Sequence, residues 1–290
     1  MKDKIIFAAL YKLRMNRFRN FLIALVFVLV ATQGCNTYDK LMKSDNMNDK
    51  LDAALKYYAK KDYFHALPLF EDLMPLFKGT TNFETIYYDY ADCYFQQGEY
   101  LIAAYHFKNF YNTLPASPMA ETCLFQNAKC YYLLAPPPEL DQDYTNKAID
   151  EFQLFVNAFP SSAKVADAND LIDQLRARLE TKEFMAAKLY YDMEDYKAAA
   201  TAFANLLFDY PNSAHAEEVT FLIAKADYIY ALNSVTKKQE ERFADATTAA
   251  TNYSKKFPQG KYEKDVNNIL IQINKNLDKL KTTTSTDDKK

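Results

Sequence analysis

Five stretches of this 290-residue chain carry the same spacing of residues, and that repetition restricts its fold more than any other feature. With Tyr63, Tyr100, Thr145, Tyr196 and Phe243 taken as position zero, position +3 is alanine every time: Ala66, Ala103, Ala148, Ala199 and Ala246. Position +7 carries Phe70, Phe107, Phe152, Phe203 and Ala250, and position +10 carries Leu73, Phe110, Phe155, Leu206 and Tyr253. Position +14 is Phe77, Leu114, Phe159, Tyr210 and Phe257. Proline follows at +15 in four copies (Pro115, Pro160, Pro211, Pro258), with Lys78 in the remaining one. Apolar residues at 0, +3, +7, +10 and +14 line one face of an α-helix. Proline then stops the helix, because it lacks an amide hydrogen and drives the residue before it out of helical geometry. The small residue at +3 lets a neighbouring helix approach, and the rings at +7 and +10 fill the space above it.

Upstream of the first four copies the sequence predicts a partner helix bearing a small residue and then an aromatic: Ala54/Tyr57, Ala91/Tyr94, Ala128/Tyr131 and Ala187/Tyr190. This small–large–Ala–aromatic–Pro order resembles the tetratricopeptide repeat. The fold expected is therefore all-α, a tetratricopeptide-like α-α superhelix of about five helical hairpins and a C-terminal cap helix. The copies begin 37, 45, 51 and 47 residues apart. The extra length comes from an insertion in repeat three, Ala135 to Asp141, and from a long first helix in repeat four, Ala163 to about Asp192. Repeats are expected at about 47–78, 84–115, 121–160, 165–211 and 217–258, with a cap at 262–280 and a disordered tail at 281–290.

Composition removes other fold classes. Four glycines in 290 residues are too few for a Gly-rich phosphate loop, a dinucleotide turn or a hairpin-rich β fold. The packing must be done by 23 Tyr and 21 Phe, with no Trp at all.

The first 34 residues have a different character. Arg14, Arg17 and Arg19 precede an apolar run from Phe21 to Ala31, too short to span a bilayer as a stable helix, and Gly34-Cys35 follows. This is the layout of a cleaved export signal, for which Met1 and Met15 are both possible starts. Gly at −1 of Cys35 resembles the lipobox of bacterial lipoproteins, in its looser form, since Thr32 and Gln33 replace the usual Leu and Ala/Ser. The resemblance implies a signal at 1–34, lipidation of Cys35 and a linker at 35–46. The alternative is an ordinary cleaved signal with an incidental cysteine. With Asn36 and no acidic run after the cysteine, lipoprotein sorting implies an outer-membrane protein facing the periplasm. Without residues 1–34 the chain holds 29 Lys+Arg against 37 Asp+Glu, a net −8 that argues against nucleic-acid binding. Cys123 and Cys130, seven residues apart on one predicted helix, are too far apart to pair, so Cys93, Cys123 and Cys130 are expected as buried small residues.

No catalytic constellation stands out. His65, His106 and His215 are isolated, Glu71-Asp72 and Glu217-Glu218 are sequence neighbours that diverge on a helix, and no nucleophile or metal motif occurs. The expectation is a binding protein without enzyme activity, metal or cofactor. In tetratricopeptide repeats the first helix of each hairpin lines the inner groove. Carried onto this chain, that register assigns to the groove Tyr58 from repeat one, Tyr88, Asp92 and Phe95 from repeat two, and Phe125, Lys129 and Tyr132 from repeat three. Such a surface suits an extended peptide with an aromatic residue; the alternative is that the rings pack against neighbouring repeats.

A lipoprotein signal leading straight into about five such repeats resembles the BamD family of the outer-membrane β-barrel assembly machine. The closest local match is repeat three, with Asp141-Gln142, Thr145, Lys147-Ala148-Ile149, Glu151-Phe152, Phe155, Phe159-Pro160 and Ser162, joined by Asn212-Ser213 after Pro211. The resemblance implies a lipid-anchored scaffold whose partners are a BamA-like barrel subunit, unfolded outer-membrane proteins and the membrane itself. The competing reading is another envelope scaffold, such as a CpoB-like cell-division or peptidoglycan-linked protein. That family has an N-terminal coiled coil, for which Cys35 to Leu51 is too short and polar.

Overall fold

A computed structural model describes residues 38–287. The signal segment and Cys35 lie outside the described residues. After a helical turn at 38–42 come eleven helices: α1 (Met47–Ala59), α2 (Tyr63–Phe77), α3 (Phe83–Gln96), α4 (Tyr100–Thr113), α5 (Ala120–Leu134), α6 (Asp143–Ala158), α7 (Val165–Asp192), α8 (Tyr196–Asp209), α9 (Ala216–Leu232), α10 (Thr236–Lys256) and α11 (Glu263–Asp287). No strand occurs among the described residues. Odd-numbered helices up to α9 are the first members of hairpins and even-numbered helices the second, a tetratricopeptide-like arrangement. The chain divides into two compact units, one ending at Cys130 and the other beginning at Tyr131, within α5.

Each hairpin forms for the reason its repeat spacing gives. The five +3 alanines have no exposed surface, and the +7 and +10 residues are buried in every copy. Burying one such ring contributes about 2–3 kcal/mol. The +14 residues are half-buried, covering the ends of the hairpins. Where proline follows at +15, the helix stops at +13 and the +14 residue leaves helical geometry. Leu114, Phe159, Tyr210 and Phe257 take φ of −130°, −130°, −125° and −131°, each amide donating back to the +10 carbonyl. In α2, which lacks that proline, the helix runs to Phe77, and Gly79 at φ +86° makes the turn. Pro68 and Pro75 lie inside α2 and remove the amides that would bond the carbonyls of Phe64 and Glu71, both on the solvent side.

The turn between the two helices of a hairpin also repeats. Two residues before position zero, Lys61, Gly98 and Glu194 take φ of +60°, +82° and +64°. The next residue caps the second helix in two of these turns: Asp62 accepts from the His65 amide and Asp195 from the Ala198 amide.

In the first unit α1–α2 and α3–α4 stack through Ala54, Leu69, Phe70, Ala91, Phe107 and Phe110, all without exposed surface. Cys93, Cys123 and Cys130 are buried thiols. Burial pushes the Cys93 thiol up, and the Cys130 thiol up to about 12. A hydroxyl latch holds α3 to the turn before α5: Ser117 Oγ donates to Glu84 Oε2 at 2.6 Å.

The second unit repeats that latch, with Ser213 Oγ donating to Glu180 Oε1 at 2.5 Å, again 33 residues upstream. Its core joins Phe203, Phe243 and Tyr253 to Val266, Ile269 and Ile273 of α11, which covers the open side of the last hairpin. Tyr253 donates its hydroxyl to Glu217 Oε1 at 2.8 Å and accepts from the Tyr262 amide at 2.9 Å. A Cβ at Gly260 would collide with both the Glu217 carboxylate and the Tyr253 hydroxyl. The chain does not leave the helix at 281 as the sequence suggests. α11 reaches Asp287, because no Pro or Gly interrupts it and the Thr282 hydroxyl bonds back to the carbonyls of Asp278 and Lys279.

The insertion in repeat three is held in place by the same unit. Arg178 Nη1 donates to the carbonyls of Ala135 and Pro136, at 2.7 and 3.1 Å, and Lys182 Nζ to that of Leu140 at 2.6 Å. Gln142 closes the loop from the other side, donating to Pro137 and Leu140 while accepting from Thr145.

Candidate protein-interaction face

The first helices of the first unit bring six of the seven expected groove residues into one region. Tyr58, in the last turn of α1, donates its hydroxyl to Asp92 Oδ2 of α3 at 2.6 Å. Its ring sits edge-on to Tyr63 and Phe70 of α2, at centroid distances of 5.7 and 6.1 Å. The hydroxyl is pushed up by burial first, then by the hydrogen bond to Asp92. Asp92 is 5% exposed and also accepts from Gln96 Nε2, so two donors from two helices hold its carboxylate.

Tyr88 and Phe95 lie on the same helix, seven residues apart, both half-buried. Tyr88 tilts against Phe107 at 5.9 Å, and burial raises its hydroxyl to about 12. Phe95 meets Tyr100 at 5.5 Å and Phe107 at 6.4 Å. The Lys129 ammonium of α5 stands 5.9 Å from the Phe95 centroid, a cation–π distance that joins the third repeat to the second. Phe125, one turn before Lys129, is half-buried on the same side of α5. Tyr58, Tyr88 and Phe95 each pack on the second helix of their own hairpin and keep part of their surface outward.

Tyr132 is placed differently. Its hydroxyl donates to Gln174 Oε1 of α7 at 2.8 Å, within the second unit.

Asp89 is the residue that sequence reasoning misses. It lies one turn before Asp92, is 7% exposed, and its carboxyl is pushed up to about 7 by burial first and by the Asp92 charge second. The available signal was two acids three apart inside the otherwise apolar run Ile86 to Cys93. A second pair occurs in the other unit, where burial and Asp245 raise Asp227 to about 6 in an open groove shared with Thr248, Asn252 and Lys255. Among the described residues no group of three or more His, Cys, Asp and Glu is placed to hold a metal ion, and no helix is long and apolar enough to cross a membrane. The face brings together rings, a fixed carboxylate, a buried acid and the Lys129 cation.

Residues 43–242 match the family model YfiO, described as an outer membrane lipoprotein. None of the curated proteins matches the chain. Among solved structures, the TPR2AB domain of yeast Sti1 in its complex with pHSP90 is 12% identical, with a TM-score of 0.36, over 79% of this chain and 98% of that one. The TPR domain of P58(IPK) is 13% identical, with a TM-score of 0.39, over 87% of this chain and 69% of that one.

Proposed function

The chain belongs to the YfiO family of outer membrane lipoproteins, the BamD family, and from that premise we propose that it is a lipid-anchored periplasmic scaffold of β-barrel assembly. In this reading the Cys35 lipid holds it to the outer membrane. Its later repeats bind a BamA-like barrel subunit, and its first three repeats receive unfolded outer-membrane proteins by their aromatic C-terminal strand. The observation that carries the client half of the proposal is the joining of Tyr58, Tyr88, Phe95 and Lys129 from three successive first helices around the Tyr58–Asp92 hydrogen bond. Half-buried rings offer apolar area at little cost in side-chain entropy, Asp92 fixes Tyr58, and Lys129 orients a polar backbone. Shallow seating of this kind favours weak, reversible capture, which suits a carrier that must hand its client on.

Two measurements test it. Purification from detergent-solubilised envelope should recover a barrel subunit with periplasmic domains; recovery of a Tol-type partner instead would favour the CpoB-like reading. Alanine at Tyr58, Tyr88, Phe95 and Phe125 should weaken binding of a barrel C-terminal peptide about tenfold or more. Because three of those rings also pack on their hairpins, Lys129→Glu serves as the fold-sparing variant, with helicity followed by circular dichroism. Unchanged peptide affinity in both variants would refute the assignment.

A further inference from the structure

The end of the first hairpin nearest residue 38 has a composition that the client face does not use. Tyr38 is fastened there: its hydroxyl donates to the His65 carbonyl at 3.0 Å, and its ring lies edge-on to His65 at 4.7 Å and to Tyr57 at 5.8 Å. Tyr57 stacks on His65, and the Phe64 ring meets His65 at 90°. Phe64 itself is 75% exposed. Around it, at the α1–α2 turn, stand Lys56, Lys60 and Lys61, all exposed, and among the described residues no ion pair takes them up. Asp49 and Asp52 lie in the opposite half of α1 and Asp45 just before it, while Asp62, at the turn itself, is paired with His65. α1 is thus polarised, basic and aromatic at its C-terminal end, where Tyr38 is fastened, and acidic at its N-terminal end. One repeat along, the residues at and one turn beyond the same place in α4, Leu101 and Tyr105, are 52% and 62% exposed.

We propose that this turn end rests on the membrane surface, with the Phe64 ring in the bilayer interface and Lys56, Lys60 and Lys61 among the phosphate headgroups. The proposal rests on the reading that Cys35 carries lipid. Only two residues separate Cys35 from the fastened Tyr38, and three Cα–Cα steps reach at most about 11 Å. An anchor that short brings the first turn against the headgroups and leaves only its facing groups to be chosen. Aromatic rings favour the interfacial layer, and lysines near an anionic surface add attraction that decays over a Debye length. Two weak signals, one acyl anchor and one basic-aromatic patch, would fix the tilt of the hairpin as well as its attachment.

The chain lacks Trp, so Phe64→Trp supplies a single reporter. The mature chain can be tethered to vesicles of phosphatidylethanolamine and phosphatidylglycerol through a maleimide lipid on Cys35, since the other three thiols are buried. This tether is chemical, so the result does not depend on acylation in the cell, which the mass of the native amino terminus tests separately. Emission from Phe64→Trp should shift to the blue and be quenched by brominated lipid. Leu76→Trp, about 18 Å further along α2, should show neither. In the untethered Cys35→Ser chain, Lys60→Ala and Lys61→Ala should each weaken vesicle partitioning about fivefold at low salt. Equal emission from the two Trp variants on vesicles, or unaltered partitioning of both Lys variants, would overturn the proposal. So would a blue shift seen only after addition of envelope protein, which would mark a protein-binding surface instead.

Discussion

Asp89 should make the stability of the first unit depend on pH in a direction opposite to that of most carboxylates. Its carboxyl is raised to about 7 from 3.8, chiefly because the residue is buried and secondarily because Asp92 lies one helical turn away. The folded chain therefore keeps a proton that the unfolded chain gives up above about pH 4. Its stabilising contribution is full below that pH, falls as pH rises, and is lost as pH passes through about 7. Integrated from pH 5 to pH 8, the group withdraws about 2–3 kcal/mol. Asp89→Asn keeps the shape and removes the titration. Urea unfolding followed by circular dichroism, at intervals across that range, should show the variant gaining on the wild-type chain by this amount. On an Asp92→Asn background the gain should shrink, because the second cause of the shift is gone. Parallel stability curves for Asp89→Asn and wild type would show that Asp89 ionises freely in the folded state and that the reasoning is wrong.

Gly260→Ala should destabilise the second unit by about 1–3 kcal/mol, because its Cβ enters space held by Glu217 and Tyr253; thermal unfolding would register the loss, and an unchanged midpoint would mean the turn moves aside without cost. Glu194→Gly should stabilise by about 1 kcal/mol, since a residue bearing a Cβ sits at φ +64° where Gly98 sits in the second hairpin; a loss of stability on urea titration would count against the repeat equivalence of the two turns.

Much of the helical framework was readable because each of its causes is local and repeated. Alanine at +3, rings at +7 and +10, and proline at +15 act within one hairpin, and the structure gives them their expected places, down to the extended φ of Leu114, Phe159, Tyr210 and Phe257. What escaped depends on where the next element lies. Asp89 is buried by neighbours that its own helix does not reveal, so a sequence window shows only an acid in an apolar run. Ser117 and Ser213 look like ordinary turn residues until the glutamate 33 positions earlier is seen beside each of them. For the proposed interaction face, the register names Tyr58 and Asp92 on successive first helices but does not reveal the hydrogen bond that joins them. Tyr132 follows the same register and donates to Gln174, a residue of a long helix whose length the sequence showed but whose contact it did not.

That long helix has a consequence for how such a chain can change by descent. Arg178 and Lys182 of α7 are matched to carbonyls of the 135–142 loop, so the insertion and the lengthened helix are the two halves of one edit. Deleting the loop alone would strand two cations, and shortening the helix alone would strand the carbonyls of Ala135 and Pro136, since Gln142 still reaches that of Leu140. The 45- and 51-residue spacings are therefore coupled: an edit to either the loop or the long helix must be answered in the other to keep these cations and carbonyls matched.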